Sequence, residues 1–398
     1  MVPVAEVWTT EARRALPAMR AWRDALHQEP ELSTEEHRTH DRIVGALTEL
    51  GIPVRTFEGS TAVIGLIPGA SAGPVVALRA DMDALPVTEE TGLPFRSRFP
   101  GRMHACGHDV HMACLLGAAA MISRRGRTPA GTVKLIFQPA EEEGLVGGAQ
   151  PLIERGCLED PKVDYIVGQH VEPKVPLGRV GWRVGPAYAA ADFFRVTVRG
   201  VGGHAASPHQ GPDAVVVASE IVTGLQALVS RVRDPLDPVV VSVGSIHGGT
   251  RNNILPREVV LEGTVRTLRP ATRDLMERAF RRRVRSLAAS LGAGVRIEYR
   301  RGYPAVVNDG ATTLAVARAL EIELGREAPL EVPTPLMGAE DFSRYLERVP
   351  GTFLQLGVGI EGQPATLHSP TFAPDERALT IGAAVLAASA DALQRNPP

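Results

Sequence analysis

The sequence predicts an α/β chain interrupted by a smaller α+β domain, and three features lead there. Its 398 residues exceed the roughly 250–300 at which a single hydrophobic core stops growing, so two structural units are expected. The first part alternates short apolar, β-rich runs with helical patterns. From about Asp192 the rhythm changes to the order βαββαβ.

In the first part, two helical patterns precede the β-rich runs Pro74 to Ala80, Thr132 to Gln138 and Tyr165 to Gly168. The helical run Val110 to Ile122 separates the first two. Buried strands alternating with helices form a mostly parallel sheet covered on both faces, with ligands at the strand carboxyl ends. In the second part, Phe193 to Arg199, Val239 to His247, Val259 to Leu268 and Val295 to Arg301 read as strands. Asp213 to Val232 and Arg273 to Leu291 read as the two helices. That order describes a compact antiparallel sheet with both helices on one side. A helix (Ala311 to Leu324), a strand (Thr352 to Val358) and a last helix (Leu379 to Leu393) then rejoin the first domain. The predicted division is 1–185, an insertion at 186–299, and 300–398, with hinges near Val184 to Pro186 and Tyr303 to Pro304.

A hydrophobic content of 44% with 22% charged residues fits a globular chain rather than a disordered or fibrous one. The net charge of −2 is spread along the chain, so no broad field favours nucleic acid or a membrane. The basic run Arg281 to Arg285 lies in a helical pattern and reads as a solvated face. The first thirty residues contain acids and no continuous apolar stretch, which predicts neither signal peptide nor membrane anchor. Cys106, Cys114 and Cys157 are too scattered for a disulfide framework. Together these features predict a cytoplasmic protein with reduced thiols.

Three polar clusters follow predicted strands: Asp81-Met82-Asp83, His104-Ala105-Cys106-Gly107-His108-Asp109-Val110-His111, and Glu141-Glu142-Glu143. His170 and His368 fall just after or near β-rich runs. A set of thiolate, imidazole and carboxylate groups suits borderline divalent ions such as zinc, manganese, cobalt or nickel. Alone, Cys106 and His108 would read as a small buried thiol and a helix-start histidine. Three histidines within eight residues, with Gly107 permitting close backbone approach, favour metal binding. Adjacent glutamates at a strand end can divide labour, one ligating a metal and its neighbour acting as general base.

RADMDALP (79–86), MHACGHD (103–109), QPAEE (138–142), GQHVEP (168–173), GVGGHAASPH (200–209), NNILP (252–256), GTVRT (263–267), MGAEDF (337–342) and LHSP (367–370) span nearly the whole chain. In that order they resemble the signatures of the aminoacylase-like dinuclear metallopeptidases, nearest to hippurate hydrolase, the N-acyl amino acid amidohydrolases and the auxin-conjugate hydrolases. The resemblance implies a zinc-exopeptidase-like catalytic domain with an inserted ferredoxin-like domain acting as lid and dimerisation surface. It implies two divalent ions held by Cys106, His108, Glu142, His170 and His368, with Cys106 bridging, and Glu141 as general base. Asp83 would orient a ligand. Asp81 and Asp109 read as structural residues or as supports behind a ligand. The family pattern usually passes from the paired glutamates directly into glycine, whereas this chain has a third, Glu143, and a longer loop.

The expected reaction is hydrolysis of the amide bond of an N-acyl-L-amino acid by metal-activated water. His204, alone a surface-turn histidine, would by resemblance reach the partner subunit's site and donate to the oxyanion. Asn252 and Arg266 would hold the substrate carboxylate, although an arginine on a strand reads equally well as one half of a cross-strand salt bridge. The expected partners are a small N-acyl amino acid and a second copy of the chain, without nucleic acid or membrane. Three alternatives stay open: a dipeptidase or carboxypeptidase, a cysteine hydrolase built on Cys106, and an inactive binding module of the same fold.

Overall fold

The computed structural model describes residues 7–124, 130–362 and 366–398. Its contacts divide the chain into two compact units. One comprises Met1–Ala187, Val307–Thr334 and Asp341–Pro398, the other Tyr188–Val306 and Pro335–Glu340.

The first unit is built on a mixed eight-stranded sheet. Its spatial order is Val54–Thr56, Val63–Pro68, Thr132–Gln138, Val75–Asp81, Tyr165–Pro176, Gly351–Gly359, Val180–Trp182 and Pro329–Glu331. The four central strands, Thr132–Gln138 to Gly351–Gly359, pair in parallel. Val75–Asp81 is buried at every position, as a near-continuous apolar run requires when helices cover both faces. The helices Val7–Gln28, His108–Arg124 and Arg377–Arg395 pack against one another, and the latter two lie on this sheet. His108–Arg124 is buried from His108 through Ile122. Its contact with the first helix depends on Gly117, where a Cβ would stand 2.2 Å from Met19 Sδ.

The strand expected to end at Gly168 continues to Pro176. It is carried by its ladder with Gly351–Gly359, which places His170 opposite Gln355. Inter-strand pairing extends it through residues whose own β preference is weak. His170 therefore lies within a strand, and its backbone is fixed on one side by that ladder.

The second unit is a four-stranded antiparallel sheet in the order Val239–His247, Glu258–Thr267, Ala190–Arg199, Gly294–Arg301. The helices Ala214–Arg231 and Pro270–Ser290 cover one face through Val217, Ile221, Leu225, Met276, Phe280 and Val284. This is the ferredoxin-like βαββαβ arrangement. Asp213 caps the first helix by accepting the N–H groups of Val215 and Val216. On the second helix Arg282, Arg283 and Arg285 are exposed around buried Val284, the solvated face read from the sequence. Among the described residues, Ala214–Arg231 is the one helix long and apolar enough to cross a membrane. Its Val217, Ala218, Ile221, Leu225 and Leu228 are buried in this unit's core.

Candidate metal centre

Parallel strands deliver their carboxyl ends to one edge, and there the polar clusters of the first unit meet. Asp81 ends its strand opposite Gln138, so Asp81-Met82-Asp83 lies beside the turn leading to Glu141. His108 opens the buried helix. Gly107 takes φ +83°, and a Cβ there would stand 2.6 Å from Val171 Cγ2, so only glycine fits this approach to the His170 strand.

The geometry brings five expected ligands together. The donor atoms of Cys106, His108 and His170 lie within 4.8 Å of one another, as do those of Cys106, Glu142 and His368, and those of His108, Glu141 and Glu142. Cys106 Sγ is 3.2 Å from His170 Nε2 and 3.3 Å from His368 Nε2. Glu142 Oε1 is 3.5 Å from His368 Nε2 and 3.9 Å from His108 Nε2. The thiol is thus common to groups that share different partners.

Backbone carbonyls fix which imidazole nitrogen is free. His108 Nδ1 donates to the Asp83 carbonyl at 2.8 Å, and His170 Nδ1 to the Val171 carbonyl at 2.7 Å. Both Nε2 atoms therefore face the cluster without a proton in the neutral ring. His111 is arranged differently. The Val171 N–H donates to its Nε2 at 2.9 Å and its Nδ1 donates to Asp81 Oδ1 at 2.6 Å, leaving no lone pair for an ion. His368 adopts φ +64° and stands half-exposed at the rim.

Asp83 ties the cluster to the glutamate turn. Its Oδ2 accepts the Ser33 hydroxyl at 2.6 Å and the Glu142 N–H at 2.9 Å, while Oδ1 accepts the Glu141 N–H at 3.1 Å. Behind it, fully buried Arg79 donates to Asp81 at 2.7 Å, to Asp341 at 2.8 Å and to Gln138 at 2.9 Å. Sequence reasoning passed over Arg79, Asp341 and Ser33. The first two stand inside the RADMDALP and MGAEDF motifs, whereas nothing around Ser33 marks it.

The electrostatics call for a cation. Among the described residues, His108 Nε2 and Glu142 Oε1 are buried without a hydrogen-bond partner. Burial pushes the Cys106 thiol well above its ordinary pKa, and Glu142, Glu141 and Asp81 push it further. Burial also holds His170 well below its usual value. A nucleophilic cysteine is activated by neighbouring positive charge, whereas Cys106 is set among the carboxylates of Glu142, Glu141 and Asp81. Two divalent ions fit what is present: buried orphaned donors, a thiol and imidazoles ringed by carboxylates.

Glu143 turns away. Its Oε2 accepts the N–H groups of Leu145, Val146 and Gly147 and so folds its own exposed loop. The other three expected residues belong to the second unit. His204 is on a two-residue strand paired with Ile254–Leu255, just after Asn252. The Ala206 N–H donates to His204 Nδ1 at 3.0 Å, leaving the exposed ring's proton on Nε2. Arg266 lines an open cavity of about 690 Å³ on the sheet face away from the helices, with Phe193, Ser242 and Thr264. Its guanidinium makes no hydrogen bond or ion pair among the described residues, so it is no cross-strand salt bridge.

A parallel-stranded α/β unit carrying this donor set, with a ferredoxin-like insertion, is a dinuclear metal-dependent amidohydrolase. Residues 77–392 match Peptidase family M20/M25/M40, and the chain belongs to that family. The N-acetyl-L-cysteine deacetylase of Bacillus subtilis is 41% identical over 356 residues, covering 89% of this chain and 83% of the relative. The thermostable carboxypeptidase 1 of Saccharolobus solfataricus is 40% identical over 365 residues, 91% of each chain. Among solved structures, the Bacillus subtilis YXEP protein, a dinuclear metal-binding peptidase from the M20 family, is 34% identical with a TM-score of 0.83, covering 96% of this chain and 99% of that one.

Proposed function

We propose that this amidohydrolase removes the acyl group from N-acyl-L-amino acids, giving a free amino acid and a carboxylic acid. The observation that carries the reading is Arg266: an unpaired guanidinium in an open cavity suits a carboxylate, which it can bind in two parallel hydrogen bonds. An N-acyl amino acid presents a free carboxylate next to the amide to be cut. Asn252 is the second polar contact in this reading. The deacetylase relative supports the N-acyl substrate. The carboxypeptidase relative favours a second reading, since a peptide C-terminus offers the same carboxylate.

Residue roles follow from the chemistry. Cys106, His108, Glu142, His170 and His368 hold the two ions, which would supply Lewis-acid polarisation of the carbonyl and a more acidic water. Glu141 takes the proton from the attacking water and returns it to the departing amine. Its backbone contact to Asp83 supports that placement, and the separate task of Glu143 supports reading the base as Glu141. His204 donates through Nε2 to the oxyanion, a role worth roughly 2.7–4 kcal/mol for such donors.

The reading includes a homodimer in which His204 acts on the partner's substrate. Exposed Val215, Val216 and Ile246 and the position of Val239–His247 at the edge of its sheet support a partner surface. Three buried free cysteines support a cytoplasmic setting.

The test is a panel of N-acetyl and N-benzoyl amino acids and dipeptides, before and after chelation and re-addition of zinc, manganese, cobalt or nickel. Deacylation lost on chelation and restored by an ion is expected. Exclusive cleavage of dipeptides would replace the deacylase reading with the peptidase one. Glu141→Gln should bind metal and abolish turnover; retained turnover would defeat the assignment of the base.

A further inference from the structure

Two left-handed residues near the centre, neither of them glycine, are held by one carboxylate oxygen. Thr34 has φ +71° and Ala140 φ +56°. The backbone N–H groups of both donate to Glu36 Oε1, at 3.0 and 2.9 Å. Glu36 is completely buried, and its other oxygen accepts the Thr61 hydroxyl at 2.8 Å. An L-residue in this region is strained and persists only where its surroundings hold it there.

Each clamped residue is one step from Asp83. Ser33, preceding Thr34, donates its hydroxyl to Asp83, and Glu141, following Ala140, donates its N–H. Glu36 also stands at the N-cap position of the helix His37–Glu49, where a carboxylate ordinarily accepts the helix's own N–H groups. It makes no such bond. The side chain forgoes the cap and reaches across to residue 140 instead.

We propose that Glu36 is a positioning residue for hydrolysis: it locks the left-handed turn at Ala140 and so aims the side chains of Glu141 and Glu142. Rotating the backbone at residue 140 redirects both glutamates together, because they continue directly into the short turn Glu141–Glu143. The inference rests on reading Glu141 as the base and Glu142 as a ligand.

The experiment compares Glu36→Ala, Glu36→Gln and Glu36→Ala combined with Ala140→Gly, reading kcat, KM, bound metal per subunit and melting temperature. Loss of the clamp should lower kcat by roughly 100-fold, the cost of displacing a catalytic group by about 1 Å, while KM stays near wild type and the fold is kept. Glutamine retains an oxygen for both N–H groups and should restore most of that kcat. Glycine takes positive φ without a clamp, so Ala140→Gly should recover a substantial part of the loss in the Glu36→Ala background. Wild-type kcat and metal content in Glu36→Ala would overturn the proposal, as would a loss that neither glutamine nor the added glycine restores. If Glu36→Ala does not fold, Ala140→Gly and Ala140→Val in the otherwise intact chain carry the test. The valine should lose turnover and the glycine keep it, and equal rates would refute the clamp. Glu141→Gln, run in parallel, separates the outcomes: turnover in that variant defeats the base assignment, whatever the Glu36 variants do.

Discussion

Asp83→Asn is the most informative single perturbation of the centre. Three donors converge on this carboxylate: Ser33 and Glu142 on Oδ2, Glu141 on Oδ1. Asparagine matches the shape but offers one acceptor oxygen. Placed at Oδ2, that oxygen keeps two donors and sets the NH2 group against the Glu141 N–H, donor to donor. A buried donor left unsatisfied costs about 1–3 kcal/mol, and ~2 kcal/mol is roughly 30-fold in an equilibrium constant. Because the strained turn carries Glu141 and Glu142, the loss should fall on metal affinity, within the roughly 10–100-fold that residues supporting metal ligands are worth. Chelator-competition titration with zinc and manganese, with kcat measured at saturating metal, checks this. His108 Nδ1 keeps its bond to the Asp83 backbone carbonyl but also stands 3.4 Å from Oδ1, so the substitution removes the carboxylate's pull on that ring as well. Unchanged metal affinity with unchanged turnover would refute the claim that Asp83 organises the turn, even if the melting temperature fell.

Other outcomes can be stated more briefly. Arg266→Ala should raise KM by roughly 10–100-fold for substrates with a free carboxylate, a charged hydrogen bond being worth about 1.5–3 kcal/mol, and should leave carboxyl-amidated substrates unaffected. If amidated and free substrates suffer alike, the anchor is elsewhere. His204→Gln should lower kcat without unfolding, and mixing that variant with Glu141→Gln should regenerate some active sites if His204 serves the partner subunit. A mixture no more active than either parent would confine His204 to its own chain. His27 gives a pH signature. Burial alone would lower its pKa, but its contacts with Asp109 at 2.9 Å and Glu89 at 3.2 Å raise it to about 9. A raised pKa stabilises fully below the unfolded value of 6.5 and is lost as pH climbs towards 9. Melting temperature should therefore drop between about pH 7 and pH 9, and drop less in His27→Gln; parallel curves would show that the ion pair contributes nothing.

The two-unit α/β plan was legible because it rests on local period. Buried parallel strands read as continuous apolar runs, the βαββαβ insertion alternates as half-buried strands do, and both patterns are written in neighbouring residues. The residue types of the metal centre were legible for a similar reason: thiol, imidazole and carboxylate in short motifs after strands announce divalent-ion chemistry without a fold. Distances between those motifs were not. Cys106 and His368 meet across 262 positions, a contact set by the order of strands in the sheet. His111 looked as available as His108, until the Val171 N–H and Asp81 took both of its nitrogens. The strand holding His170 is long because Gly351–Gly359 pairs with it, an interaction absent from the local sequence. Glu36 reads as one acid in a polar helix start. Only tertiary folding brings the Ala140 N–H to it, because a hydrogen bond joining residues 104 positions apart leaves no periodic trace in the chain.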